Sequence, residues 1–122
     1  MKYVKTRETD AGQSFFEEGD QPLGLTEFVP PADPILVSDV LPASGMVFLT
    51  LPAGWSGVRH RSPRRQIAAI LSGCFRVETS DGQVRDFRVG DIYWMEDTTG
   101  EGHISSAVGD EDVRMMVTRL AE

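Results

Sequence analysis

From residue 46 onward the chain is written in short apolar runs separated by turn residues. "MVFLTL" runs into Pro52 and Gly54, and "QIAAIL" stops at Ser72 and Gly73. "CFRVETS" alternates apolar and polar positions from Phe75 to Glu78 and meets Asp81-Gly82 before "VRDFR". An Asp-Gly pair between alternating runs is a strong hairpin signal. "VGD" turns the chain before "IYWM", and "HISSAV" meets "GDED" before "VRMMVTRL". Period-two runs at regular spacing, with no sustained helical period past residue 45, predict an antiparallel all-β sandwich or barrel.

The first third reads differently. Residues 1–27 show no clean period, and "GQSFFEEGD" is expected to be a short helical turn or a loop. "FVPPADPILVSDVLPASG" carries Pro30, Pro31, Pro34 and Pro42. Each proline fixes φ, removes a donor and pushes its predecessor toward extended geometry. Residues 1–43 are therefore expected to form an extended N-terminal arm, at most an edge strand, lying on the barrel or on a partner subunit. Residues 44–122 are expected to form the barrel domain.

Length and composition narrow the class. A chain of 122 residues suits one domain that buries most of its apolar surface. Lys and Arg number 12 against 19 Asp and Glu, a net charge of −7. That sign argues against nucleic-acid and anionic-membrane partners, which need a basic face. The single cysteine, Cys74, excludes an internal disulfide and reads as a small buried hydrophobe. No apolar run has the length of a spanning helix, and "MKYVKTRETD" lacks the apolar core of a secretion signal, so a cytoplasmic protein is expected.

The two histidines are the main functional signal. His60 lies just before "QIAAIL", and His103 opens "HISSAV". Gly54, His60, Ser62, Gln66 and Gly73 are separated by five, one, three and six residues. This spacing resembles the first motif of the cupin superfamily, in which a glycine is followed by His-x-His, a glutamate and a glycine. Gly90 and Asp91 before a strand, with His103 at the place of the last metal ligand, resemble the second motif more loosely. There "EDTTGEGH" stands in place of the usual proline-and-glycine turn. The resemblance covers roughly residues 44–120. It implies a double-stranded β-helix, the jelly-roll barrel of cupins, with a ligand pocket inside. With the proline-rich arm, it also implies a homodimer.

Where the family's metal binders use three histidines and a glutamate, this chain has His60, Ser62, Gln66 and His103. Two readings stay open. In one, His60, Gln66 and His103 hold one divalent ion of the Fe, Mn, Ni or Zn type, acting as a Lewis acid or activating water or oxygen. In the other, the same side chains and Ser62 form a polar floor for a small polar or carboxylated molecule. Glu101 reads as a solvated loop acid. If His60 and Ser62 face inward, alternation turns Arg59 and Arg61 outward. Pro63 breaks the parity, and Arg64 is the arginine expected to reach the ligand. Tyr93 and Trp94 are adjacent, so only one faces inward, and Trp94 is assigned to the ligand pocket. Trp55 is expected near its mouth. The function expected is small-molecule binding at a reduced metal site. The alternative is a metal-dependent dioxygenase, isomerase or lyase acting on a small carboxylated substrate, or a metal-free acid–base catalyst.

Overall fold

The computed structural model describes residues 1–122, which form eleven strands. No helix is long and apolar enough to cross a membrane. The strands are β1 (Lys2–Glu8), β2 (Ser14–Asp20), β3 (Gly24–Thr26), β4 (Ile35–Val37), β5 (Ala43–Leu51), β6 (Gln66–Ile70), β7 (Cys74–Thr79), β8 (Val84–Phe87), β9 (Ile92–Met95), β10 (His103–Val108) and β11 (Val113–Leu120). A six-stranded sheet runs β2-β1-β9-β6-β11-β5, and a three-stranded sheet runs β10-β7-β8. Isolated bridges from Ser56 to Ser106 and from His60 to His103 lay residues 56–60 along the outer side of β10.

The period-two pattern of the sequence becomes two faces in space. In the large sheet Ala68 pairs with Tyr93 and with Val117, Ile70 with Met115, and Met115 with Leu49. These residues point inward, against Phe75, Val77, Phe87 and Ala107 of the small sheet, and the two sets form one core. Burying this apolar layer between the sheets supplies the main favourable term. Ser80 to Gly82 form the hairpin turn between β7 and β8. There Asp81 accepts from the Thr79 hydroxyl at 2.6 Å and from the Gln83 amide at 3.1 Å. Gly82 takes φ +88°, which only glycine adopts freely.

The N-terminal 43 residues divide into two parts. Residues 2–20 are a β-hairpin built into the large sheet, with β1 antiparallel to β2 and parallel to β9. "GQSFFEEGD", expected as a helical turn or loop, is largely strand β2. The stretch is rich in polar residues because each strand buries few side chains: Thr6 and Ser14 are buried, while Val4 and Phe16 pack partly against the core. An extended chain needs no more than that once its backbone has partners. The proline-rich part remains extended. Its one hairpin, β3 against β4, lies outside the two main sheets, and at its end the Pro42 carbonyl accepts from the Ala121 amide at 3.0 Å as the chain enters β5.

Candidate functional site

The residues singled out by spacing meet at one end of the barrel. A cavity of about 150 Å³ is lined by His60, Ser62, Gln66 and His103, with Ser105 beside them. Leu49, Leu51, Trp55, Phe75, Met95, Met115 and Val117 are among its apolar walls. Parity explains this set. Gln66, Met95, Met115 and Val117 occupy inward positions of adjacent strands, with Gln66 opposite Met95 and Val117 two residues from Arg119, the partner of Gln66 on β11. Trp55 is 38% exposed and His60 is also solvent-accessible, so both stand at the mouth.

The two histidines are fixed by backbone and by oriented hydrogen bonds. Their main chains exchange two bonds, His60 N to His103 O at 2.9 Å and His103 N to His60 O at 2.8 Å. Their rings stand 4.7 Å apart. Nδ1 of His60 lies 2.8 Å from the Val58 carbonyl. A carbonyl only accepts, so Nδ1 carries the hydrogen. Nδ1 of His103 lies 2.5 Å from Oδ2 of Asp97 and donates to it by the same logic. In the neutral form of either ring this leaves the lone pair on Nε2.

Asp97 was not singled out from the sequence. It is fully buried, as is Tyr93, and His103 is only 2% exposed. Its Oδ1 has no partner, and neither does Oγ of Ser62. The Ser62 amide donates to the Asp97 carbonyl at 3.0 Å, which joins the two backbone segments. Tyr93 meets the His103 ring edge-on at 6.1 Å. Its hydroxyl accepts from Thr6 at 2.7 Å. Burial, and then the charge of Asp97, push the Tyr93 phenol well above its ordinary range. The only cue to Asp97 in the sequence is an acid six residues before a motif histidine, one of 19 acids in the chain.

The loop from Asp97 to His103 is clamped from outside. Glu8 accepts from the Thr99 hydroxyl at 2.6 Å, the Gly100 amide at 2.6 Å and the Thr99 amide at 3.0 Å. Burial pushes the Glu8 carboxyl up, but the Thr99 and Gly100 donors outweigh it and hold the pKa below its ordinary value. Ser14 donates to the Gly102 carbonyl at 2.6 Å. Gly102 takes φ +77°, and a Cβ there would collide with the His60 carbonyl, so the approach of the two histidine segments depends on glycine.

Several expected residues lie elsewhere. Trp94 does not line the cavity. Its partner Ile67 faces out of the barrel with it, and its ring stacks 4.9 Å from Tyr3 and under Lys5, with Nε1 donating to Glu96 at 2.9 Å. Tyr93 is the inward neighbour. Arg64 is exposed, has no ion-pair partner and is absent from the cavity wall. Arg65 instead forms a forked pair with Glu96, at 2.6 and 3.1 Å. Arg59 and Arg61 turn outward and donate to the Gly102 and Thr99 carbonyls. Glu101 is exposed and accepts from the Ser80 hydroxyl at 3.3 Å.

The donor set does not suit a divalent ion of the cupin kind. Three or more His, Cys, Asp or Glu side chains nowhere gather within reach of one point. The nearby carboxylate, Asp97, is spent on Nδ1 of His103. The amide nitrogen of Gln66 turns to the Met95 sulfur at 3.5 Å. Two imidazole nitrogens without an anionic ligand leave the ion's charge uncompensated in an apolar barrel.

No family model matches the sequence, and no curated protein matches it. Solved structures do match in shape. An RmlC-like cupin family protein with a double-stranded β-helix fold, from Methanocaldococcus jannaschii, aligns at TM-score 0.53 and 11% identity, over 83% of this chain and 90% of its own. The cupin domain of Schizosaccharomyces pombe Cnp3 aligns at TM-score 0.51 and 13% identity, over 89% and 73%. AerE from Microcystis aeruginosa aligns at TM-score 0.52 and 16% identity over 82% of this chain, which spans 46% of AerE. Opposed sheets around one cavity, with the matches in shape, make this chain a double-stranded β-helix of the cupin type.

Proposed function

We propose that this protein binds a small polar molecule inside the barrel, without a metal, at the end formed by His60, Ser62, Gln66 and His103. The observation that carries this reading is Ser62, a cavity-lining residue only 2% exposed whose Oγ has no partner. A buried hydroxyl without a hydrogen bond costs about 1–3 kcal/mol, and a ligand or water that enters the cavity relieves it. The apolar walls supply affinity, and the polar end supplies orientation. About 150 Å³ is the size of a cavity that holds one benzene-sized molecule.

The test is ligand-observed NMR with a set of small polar compounds, read together with the methyl signals of Met95 and Met115. A binder is expected to shift both methyls and to lose affinity at least tenfold in His60→Ala, which alters only the mouth. Compounds that bind without moving either methyl would place the site elsewhere. One observation favours a second reading, acid–base catalysis: His103 lines the cavity and Asp97 holds its Nδ1, which leaves Nε2 without a hydrogen-bond partner, the arrangement of a positioned general base. Turnover of a bound compound that disappears in His103→Gln supports it.

We also propose a homodimer. Leu25, Phe28, Val29, Leu36, Val40 and Phe48 are each more than half exposed. Exposed apolar side chains in such number mark a contact surface. A two-stranded hairpin such as β3 and β4 is marginal without a covering surface. A second copy laid over this hairpin supplies it.

A further inference from the structure

A small polar ligand of the cavity is either neutral or carboxylated. We infer that it is a neutral ring of about benzene's size carrying hydroxyl or amino donors, and not a carboxylate. The inference rests on the cavity being the binding site and adds the class of molecule that it takes.

The polar end is built to accept. The Val58 carbonyl takes the His60 Nδ1 hydrogen, and Asp97 takes that of His103. Both Nε2 atoms are therefore free to present lone pairs, on rings that stand 4.7 Å apart. The hydroxyls of Ser62 and Ser105 turn either way, and the Gln66 amide brings a carbonyl oxygen of its own. The buried Asp97 carboxylate stands directly behind His103 and adds negative potential.

No cation balances this. Neither Arg nor Lys lines the cavity. Of the arginines nearest in sequence, Arg59 and Arg61 donate to carbonyls, Arg65 is bound to Glu96, and Arg64 is exposed outside the cavity wall. A carboxylate carried into the barrel would lose its water and meet two lone pairs and a buried carboxylate, with nothing positive in contact. A hydroxyl or amino group brings the hydrogen that the Nε2 lone pairs accept, and the Ser62 hydroxyl pairs with such a group in either sense. Trp55, Phe75, Met95 and Met115 favour a flat ring, since thioethers and aromatic faces both pack well against one.

The experiment compares phenol, catechol and aniline with benzoate, all near one size, at pH 8 where imidazole is ordinarily neutral. Binding is read by titration against the Met95 and Met115 methyl signals. Phenol, catechol or aniline is expected to bind at least tenfold tighter than benzoate. That advantage is expected to shrink at least fivefold in His60→Ala, which removes one acceptor from the mouth. Benzoate equal to or tighter than the others on the same methyl signals overturns the donor inference and leaves the cavity reading intact. Failure of all four to move either methyl at millimolar concentration overturns both.

Discussion

Replacing the two members of the buried Asp97 and His103 pair, singly and together, tests the physical account of the site. Both are essentially inaccessible, and one 2.5 Å bond joins them. His103→Ala leaves the Asp97 carboxylate buried with neither oxygen bonded. An uncompensated buried charge of this kind costs about 3–5 kcal/mol. Asp97→Ala leaves only the Nδ1 hydrogen of a neutral ring unpaired, which costs about 1–3 kcal/mol. The histidine variant is therefore expected to be the less stable of the two. The double variant removes both orphans, so its loss falls short of the sum by about 1.5–3 kcal/mol, the worth of a hydrogen bond to a charged group. For a chain of this length each kcal/mol moves Tm by about 3–6 °C. Urea unfolding of the four proteins, at one protein concentration because association shifts apparent stability, measures the cycle. Costs that add within about 0.5 kcal/mol, or an Asp97 variant weaker than the His103 variant, would refute the reasoning.

Three further outcomes follow from the same geometry. Glu8 has a folded pKa below its unfolded value near 4.3, so its contribution is complete above that pH and is lost as pH falls through the folded value. The Tm difference between the wild type and Glu8→Gln is expected to hold from about pH 7 to about pH 5 and to close in more acid solution, as calorimetry across that range will show. Phe48→Lys, on the outer side of edge strand β5, is expected to give a monomer mass by light scattering at micromolar concentration, with the far-ultraviolet dichroism unchanged; a persistent dimer places the interface elsewhere. Trp94→Phe is expected to change cavity affinity less than twofold, because Trp94 packs on Tyr3 and Lys5 outside the barrel. A tenfold loss in that titration contradicts the assignment of Tyr93 as the inward residue.

Much of the barrel was legible because strands past residue 45 declare themselves locally. Alternation in "CFRVETS", the Asp81-Gly82 turn and the stops at Gly73 and Gly109 are read from neighbouring residues. The spacing from His60 to Gly73, with His103 downstream, also brought four polar residues to one cavity. Strands β1 and β2 were not legible, because each buries few side chains and owes its place to backbone pairing with β9, about ninety positions away in sequence. The roles of Tyr93 and Trp94 were not legible either. Both suit a core, and only the register that sets Ala68 opposite Tyr93 selects the face. Asp97 and the arginines make the same point for charge. Nothing local separates Asp97 from 18 other acids, or tells that Arg65 has an acid partner and Arg64 none. The sequence by itself determined where the chain past residue 45 extends and turns, and that His60, Ser62, Gln66 and His103 share a site. The tertiary structure alone decided faces, ion pairs and the orientation of the histidines, because register and partner choice are settled between segments that meet only when the barrel closes.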